Sequence, residues 1–298
     1  MRRRFFTLNV FTSKRFTGNP LAVVLEPEGL DAATMQLIAR EFGHPETVFV
    51  LPPEKKEHRA RLRIFTPAAE LAFAGHPTVG TAVLIGRLDG GGARRIVLEE
   101  GIGPVTCDVA LTDADCGRAT FAIPQMPMRA GEAADATSIA SALGLDPEDV
   151  GFDDFKPSRW SAGNAFTFVP LRSIAAMARA RPDLARFDAV LGAGQGAMAY
   201  LFCRETAESG HDFHVRMFAP AFGIAEDPAT GSGAAAFPGL LAASGKYGDG
   251  DHRLRIEQGY KMGRPSLIEL FFTVRGGALA SASIGGEAVL VTEGAIEA

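Results

Sequence analysis

RMFAPAFGIAEDPATGSGAA, residues 216–235, is matched without a gap by RIFTPAAELAFAGHPTVGTA, residues 63–82 of the same chain. Arg63 falls on Arg216, Phe65 on Phe218, Pro67 on Pro220, Ala68 on Ala221, Ala72 on Ala225, Gly80 on Gly233 and Ala82 on Ala235. Upstream, Gly18-Asn19 before an apolar strand recurs as Gly163-Asn164. Two matches in the same order point to an internal duplication. The chain reads as two homologous α/β halves, each sending a buried helix with a Gly-rich N-terminus toward the same region.

Why Glu226 and Asp227 should precede Gly231-Ser232-Gly233 has two answers. Acids and Thr near a helix start cap it and favour the positive end of its dipole. Alternatively, a helix start with small side chains leaves its amides for an anionic ligand. The two do not exclude each other. If a pseudo-twofold axis relates the halves, the helix starts near His76 and Thr230 face one cleft, where a small carboxylate would bind.

Composition sets outer limits. A chain of 298 residues, 47% hydrophobic and 22% charged, is long enough for one large or two medium domains. The net charge of −5 comes with no basic run, which argues against nucleic-acid binding. No apolar run approaches the roughly 20 residues that span a bilayer. Met1-Arg2-Arg3-Arg4 looks like a signal n-region, but Asn9, Thr12, Ser13 and Lys14 interrupt any apolar core behind it. Cys107, Cys116 and Cys203 are an odd set without metal-like spacing, which fits a reducing cytoplasm.

Short β-rich runs at 21–25, 47–51 and 61–65 read as strands, and Asp31 caps a helix that ends near Gly43. Residues 77–88 read as a helix buried all round. Strands follow near 96–99, 103–109 and 119–123, then a linker to Asp135 and a helix over 136–143. Three weaker signals carry bland readings. His211-x-x-His214 on a strand sends its side chains to opposite faces, against a metal site. Gly192-x-Gly194-x-Gly196 reads as a turn rather than a nucleotide loop. Phe271-Phe272-Thr273-Val274 reads as a sheet strand, with dimer contact as the alternative.

FTGNPLAVV (16–24), ETVFV (46–50), the two repeat segments and the closing QG…G-R-P together resemble the phenazine-biosynthesis isomerase family over essentially the whole chain. The resemblance implies an α+β protein of the diaminopimelate epimerase fold. It would have two pseudo-symmetric halves, each a strongly curved sheet or barrel around one central helix. Expected domains are 1–124 and 125–298, with the last strand, about 288–298, returning to the first half. It also implies an enzyme without cofactor or metal, a homodimer, and a small, cyclic carboxylic acid as substrate.

Carried over residue by residue, the catalytic groups are Glu46, His76 and Asp227, with Asn19, Gly75, Asn164, Gly231 and Ser232 holding the substrate. Glu46 would shuttle a proton between carbons, since a carboxylate in a water-poor cleft can both accept and return one. His76, one residue before a Pro at the first helical position, and Asp227 would hold polar groups of the substrate. The matched Asn19 and Asn164 would bracket it. The position repeating Glu46, near Ala197, carries no carboxylate, so the halves are not chemically equivalent.

Pro45 stands where the family more often has Ser. Related epimerases and racemases use a cysteine at each helix start, whereas this chain has Ala74 in one and Asp227 to Thr230 in the other. Two-thiol racemisation is thereby excluded. The alternatives are a racemase using Glu46 with Asp227 or His76, and a ligand-binding protein without catalysis.

Overall fold

The computed structural model describes residues 1–192 and 196–298, so Gly194 of the glycine-rich segment lies outside the described residues. In chain order the elements begin β1 (Arg2–Val10), β2 (Asn19–Leu25), α1 (Ala32–Phe42), β3 (Glu46–Leu51), β4 (Ala60–Phe65), β5 (Glu70–Leu71) and α2 (Gly75–Leu88). Next come β6 (Arg94–Glu100), β7 (Gly103–Leu111), β8 (Cys116–Ala122), β9 (Met128–Arg129) and α3 (Ala136–Leu143). Then follow β10 (Ser158–Ser161), β11 (Ala165–Pro170), α4 (Ile174–Arg179), α5 (Phe187–Leu191), β12 (Ala199–Cys203) and β13 (Phe213–Ala219). The chain ends with β14 (Ile224–Asp227), α6 (Gly231–Ala243), β15 (Gly250–Gln258), β16 (Ser266–Arg275) and β17 (Ala278–Glu297). It folds into two compact units, Met1–Pro124 with Gly285–Ala298, and Gln125–Ile284.

In the first unit the strand pairings close on themselves. The ring runs β1–β2–β3–β4–β6–β7–β8–β17 and back to β1. Closure leaves no sheet edge in that ring. Helix α2 packs against β1, β2, β3, β6, β7 and β8, which places it inside the barrel. Its sequence allows this, because Val79, Ala82, Val83, Leu84 and Ile85 cover every side and all are buried. Helix α1 lies outside, where Asp31 caps it and Met35 and Ala39 pack on Val24, Phe49 and Phe65.

The second unit repeats the order and the polarity. β2–β3 and β4–β6 are parallel, and so are β11–β12 and β13–β15; β3–β4 and β6–β7 are antiparallel, and so are β12–β13 and β15–β16. Helix α6 is the counterpart of α2, and here the core is aromatic. Phe237 stacks on Phe168 at 5.6 Å and meets the edges of Phe202 and Phe213 at 4.9 and 5.1 Å. The matched arginines behave alike: Arg63 pairs with Glu70 and lies over Phe65, while Arg216 pairs with Glu226 and lies over Phe218.

The expected linker before Asp135 contains β9, which pairs with β10. Residues 271–274 lie within β16, as a sheet strand.

Candidate active site

Both Gly-rich motifs open buried helices, and neither helix has a side-chain cap. Helix α2 begins at Gly75 with Ala74 as its N-cap, so His76 is the second helical residue and Pro77 the third. The expected Pro at the first helical position is thus displaced by two residues. Ala74 stays extended, and the first turn closes through Thr78 N to the Ala74 carbonyl.

The capping reading of Glu226 and Asp227 fails on geometry. Both lie on β14, where successive side chains point to opposite faces. Glu226 takes Arg216 in a two-pronged ion pair, with both bonds 2.8 Å. Asp227 faces the other way and accepts the Thr230 hydroxyl at 2.6 Å. One carboxylate is structural; the other is held at the helix start.

In the first unit the structure brings Glu46 and His76 together. Glu46 opens β3, in parallel register with Leu21 of β2. Its Oε2 lies 3.3 Å from Nε2 of His76, and the two side chains are 13% and 5% exposed. Burial pushes the His76 pKa down to about 3, and nearby His44 adds to this, against the opposing Pro20 carbonyl. The imidazole is therefore uncharged at neutral pH. A carboxyl group beside a neutral ring can exchange a proton without fixing a charge pair.

The other sequence-derived residues are placed as follows. Asn19 is fully buried at the start of β2. Its repeat partner Asn164 occupies the corresponding place before β11 but is exposed in the turn. Gly75 and Gly231 are the buried first residues of α2 and α6, and Ser232 follows half-buried. At the position equivalent to Glu46, one residue before β12, stands Met198, which carries no acid.

Sequence reasoning missed a second layer behind both helix starts. Glu99 on β6 accepts the Glu54 and Lys55 amides at 2.7 and 2.9 Å and faces His58 Nδ1 at 2.8 Å. The Glu54 amide, with the Lys55 amide and His58, holds its carboxyl down to about 2, against burial. Glu257 on β15 repeats this with the Ala207 and Glu208 amides and His211 Nδ1, and adds His214 Nδ1 at 2.6 Å. This corrects the reading of His211 and His214 as opposed. His211 precedes β13, so strand alternation does not govern it, and both rings reach one carboxylate.

The next residue on each strand holds the helix start. Gln258 accepts the Thr230 amide at 3.0 Å and donates to the Asp227 carbonyl and the Thr230 hydroxyl at 2.7 and 2.9 Å. Glu100, its counterpart, lies 2.8 Å from the Thr78 hydroxyl. The signal was present as Glu99-Glu100-Gly101 and Glu257-Gln258-Gly259, and in His58 matching His211 when the repeat is extended upstream.

Among the described residues no group of three or more His, Cys, Asp and Glu is arranged to hold a metal ion. The three cysteines are buried and unbridged, on β7, β8 and β12 rather than at a helix start. No helix is long and apolar enough to cross a membrane among those residues.

The chain is thus a duplicated α+β unit, and in the first copy the central helix starts beside an acid–imidazole pair. Residues 8–294 match the model of the phenazine biosynthesis-like proteins, and the chain belongs to that family. It is similar to an uncharacterized isomerase of Mesorhizobium japonicum, 47% identical over 98% of each chain. It is also 32% identical to the trans-2,3-dihydro-3-hydroxyanthranilate isomerase of Pseudomonas chlororaphis, again over 98% of each chain. The crystal structure of a Bacillus anthracis phenazine biosynthesis protein of the PhzF family superposes with a TM-score of 0.89 at 28% identity, covering all of both chains.

Proposed function

We propose that this protein is a cofactor-independent isomerase that moves a proton between carbons of a small, cyclic carboxylic acid. The observation that carries the reading is the enclosed Glu46–His76 pair, 3.3 Å apart at the start of α2. Glu46 as carboxylate takes a proton from one carbon. The electron pair left behind moves into the conjugated system, and Glu46, its proton exchanging with solvent while held there, returns a proton to a second carbon. His76, kept neutral by burial, hydrogen-bonds without competing as a cation. In this reading Asp227, Ser232 and the leading amides of α6 hold the substrate's polar and carboxylate groups, with Asn19, Asn164, Gly75 and Gly231 shaping the site. The buried, unbridged cysteines fit a protein of the reducing cytoplasm, and a homodimer follows the family resemblance.

Thiol-based racemisation is disfavoured, because Ala74 occupies one helix start and the residues before the other, Asp227 to Thr230, include no cysteine. The test is incubation with hydroxylated cyclic carboxylic acids, trans-2,3-dihydro-3-hydroxyanthranilate included, in deuterated water with mass spectrometry and chiral analysis. Deuterium at carbon with a moved double bond is expected. Inversion at one carbon without that shift would make it a racemase, and binding without exchange would make it a ligand-binding protein.

A further inference from the structure

Thr78 Oγ1 lies 2.8 Å from the Ala74 carbonyl oxygen and 2.8 Å from Glu100 Oε1. A hydroxyl has one proton to give. A carbonyl can only accept, so if Thr78 donates to Ala74, the proton between Thr78 and Glu100 comes from Glu100. The counterpart in the other repeat is an amide: Gln258 donates through Nε2 to the Thr230 hydroxyl and the Asp227 carbonyl. An uncharged carboxylic acid, like that amide, offers both a donor and an acceptor, whereas a carboxylate only accepts. We propose that Glu100 is a positioning residue that works as a neutral acid, fixing the first turn of α2 and thereby the ring of His76. Its catalytic consequence rests on the reading of His76 given above.

The surroundings favour the neutral form. Glu100 is 7% exposed, and its Oε2 has no hydrogen-bond partner among the described residues. It lines a cavity of about 570 Å³ in which Arg61, Arg63 and Glu99 have other partners. On β4 and β5 Arg63 is taken by Glu70 at 2.7 Å, and Arg61 lies 3.5 Å from Glu54. Beside it on β6, Glu99 is taken by His58, and Lys55 also lines the cavity. From β7 the nearest titratable group is Cys107, whose thiol burial pushes up, with Glu100 reinforcing the shift. Thr78 is the α2 contact. Burial moves the Glu100 carboxyl up to about 8, against the Thr78 bond.

Infrared difference spectra between wild type and Glu100→Gln test this directly. Below pH 8 a protonated-carboxyl band is expected in wild type, absent from Glu100→Gln, and bleaching in wild type as pH rises through about 8. The His76 ring resonances, assigned by their loss in His76→Ala, should shift in Glu100→Ala and return to the wild-type position in Glu100→Gln. No difference band, or a Glu100→Gln shift as large as that of Glu100→Ala, overturns the proposal. The infrared arm stands even if Glu100→Ala does not fold. Neither readout uses turnover, so a failed isomerase assay leaves this inference standing and its own failure leaves the isomerase reading standing.

Discussion

His211 Nδ1 lies 2.7 Å from Glu257 Oε2, within a carboxylate cradle that also takes His214 and two loop amides. Glu257 is fully buried, and each of its oxygens serves two donors. Glu257→Gln turns one oxygen into an amide donor that faces other donors. Breaking a buried charged contact of this kind costs about 3–5 kcal/mol. Denaturant unfolding should show a loss of that size, and a smaller one for Glu99→Gln, whose side chain is 13% exposed. A Glu257→Gln loss below about 1 kcal/mol, the scale of surface pairs, would refute the clasp.

His76 makes stability depend on acid. Its folded pKa, about 3, lies below the ordinary 6.5, so between those values the unfolded chain binds a proton that the folded chain does not. The His76 contribution is therefore full above 6.5 and falls as pH drops toward 3, while Glu100, raised to about 8 from 4.5, acts in the opposite direction and offsets it between 4.5 and 6.5. Glu99, lowered to about 2 from 4.5, acts in the same direction as His76 over the lower part of that range. His76→Asn should leave the Glu100 effect unopposed, so that melting temperature falls as pH rises from 4.5 to 6.5, a limb on which wild type is nearly flat. An unchanged limb would mean that His76 is not buried as a neutral ring.

How legible this was depends on the range of the interaction. The helices over 136–143 and after Asp31 were readable because their caps are local, Asp135 and Asp31 each accepting an amide three residues on. The duplication was readable because Gly80 and Gly233 each mark a close approach of the central helix to its own surroundings, though to different neighbours. The pairing of Glu226 with Arg216, and of Asp227 with Thr230, was not. It depends on β14, a four-residue strand that no periodicity announces. Closure of the first barrel through β17 likewise depends on partners at opposite ends of the chain, such as Arg2 and Glu297. The identities of Glu46 and His76 came through family resemblance; that they meet at 3.3 Å came from the fold.

Gly80 and Gly233 give a ranked prediction. A Cβ on Gly80 would lie 2.6 Å from Leu21 Cδ2 and 2.7 Å from Val10 Cγ2, the ends of aliphatic side chains. On Gly233 it would lie 2.5 Å from Tyr200 Cδ2, part of a rigid, fully buried ring. Alanine gains roughly 1 kcal/mol of helix propensity over glycine, while overpacking costs about 1–3 kcal/mol. Both variants should be destabilised, Gly233→Ala more than Gly80→Ala. Equal or reversed losses in thermal unfolding would contradict the packing of α6 against Tyr200.

Cys107, Cys116 and Cys203 should all titrate as free thiols in denaturant and react slowly in the native state. Burial pushes the Cys203 thiol up to about 12 and raises the other two, so little thiolate is available at neutral pH. Fast modification of native protein would show that a strand bearing one of them opens readily.

Glu46 carries the catalytic proposal and the sharpest test. Glu46→Gln keeps the shape and stays within reach of His76 Nε2, which lies 3.3 Å from the carboxylate, but it cannot hold and release a proton. Loss of general acid–base catalysis costs about 10²–10⁴ in rate, while ligand affinity should change much less because the groups that hold the substrate remain. Asp227→Asn should lower affinity and rate together, since it weakens the acceptor for the Thr230 hydroxyl at the start of α6. His76→Asn should likewise lower affinity and rate together. If Glu46 served only the fold, its Gln variant would melt earlier and retain its exchange rate in proportion to the folded fraction. Melting temperature, ligand affinity and carbon–deuterium exchange on one Glu46→Gln preparation separate the two. A stable variant that exchanges deuterium at the wild-type rate would remove Glu46 from the chemistry.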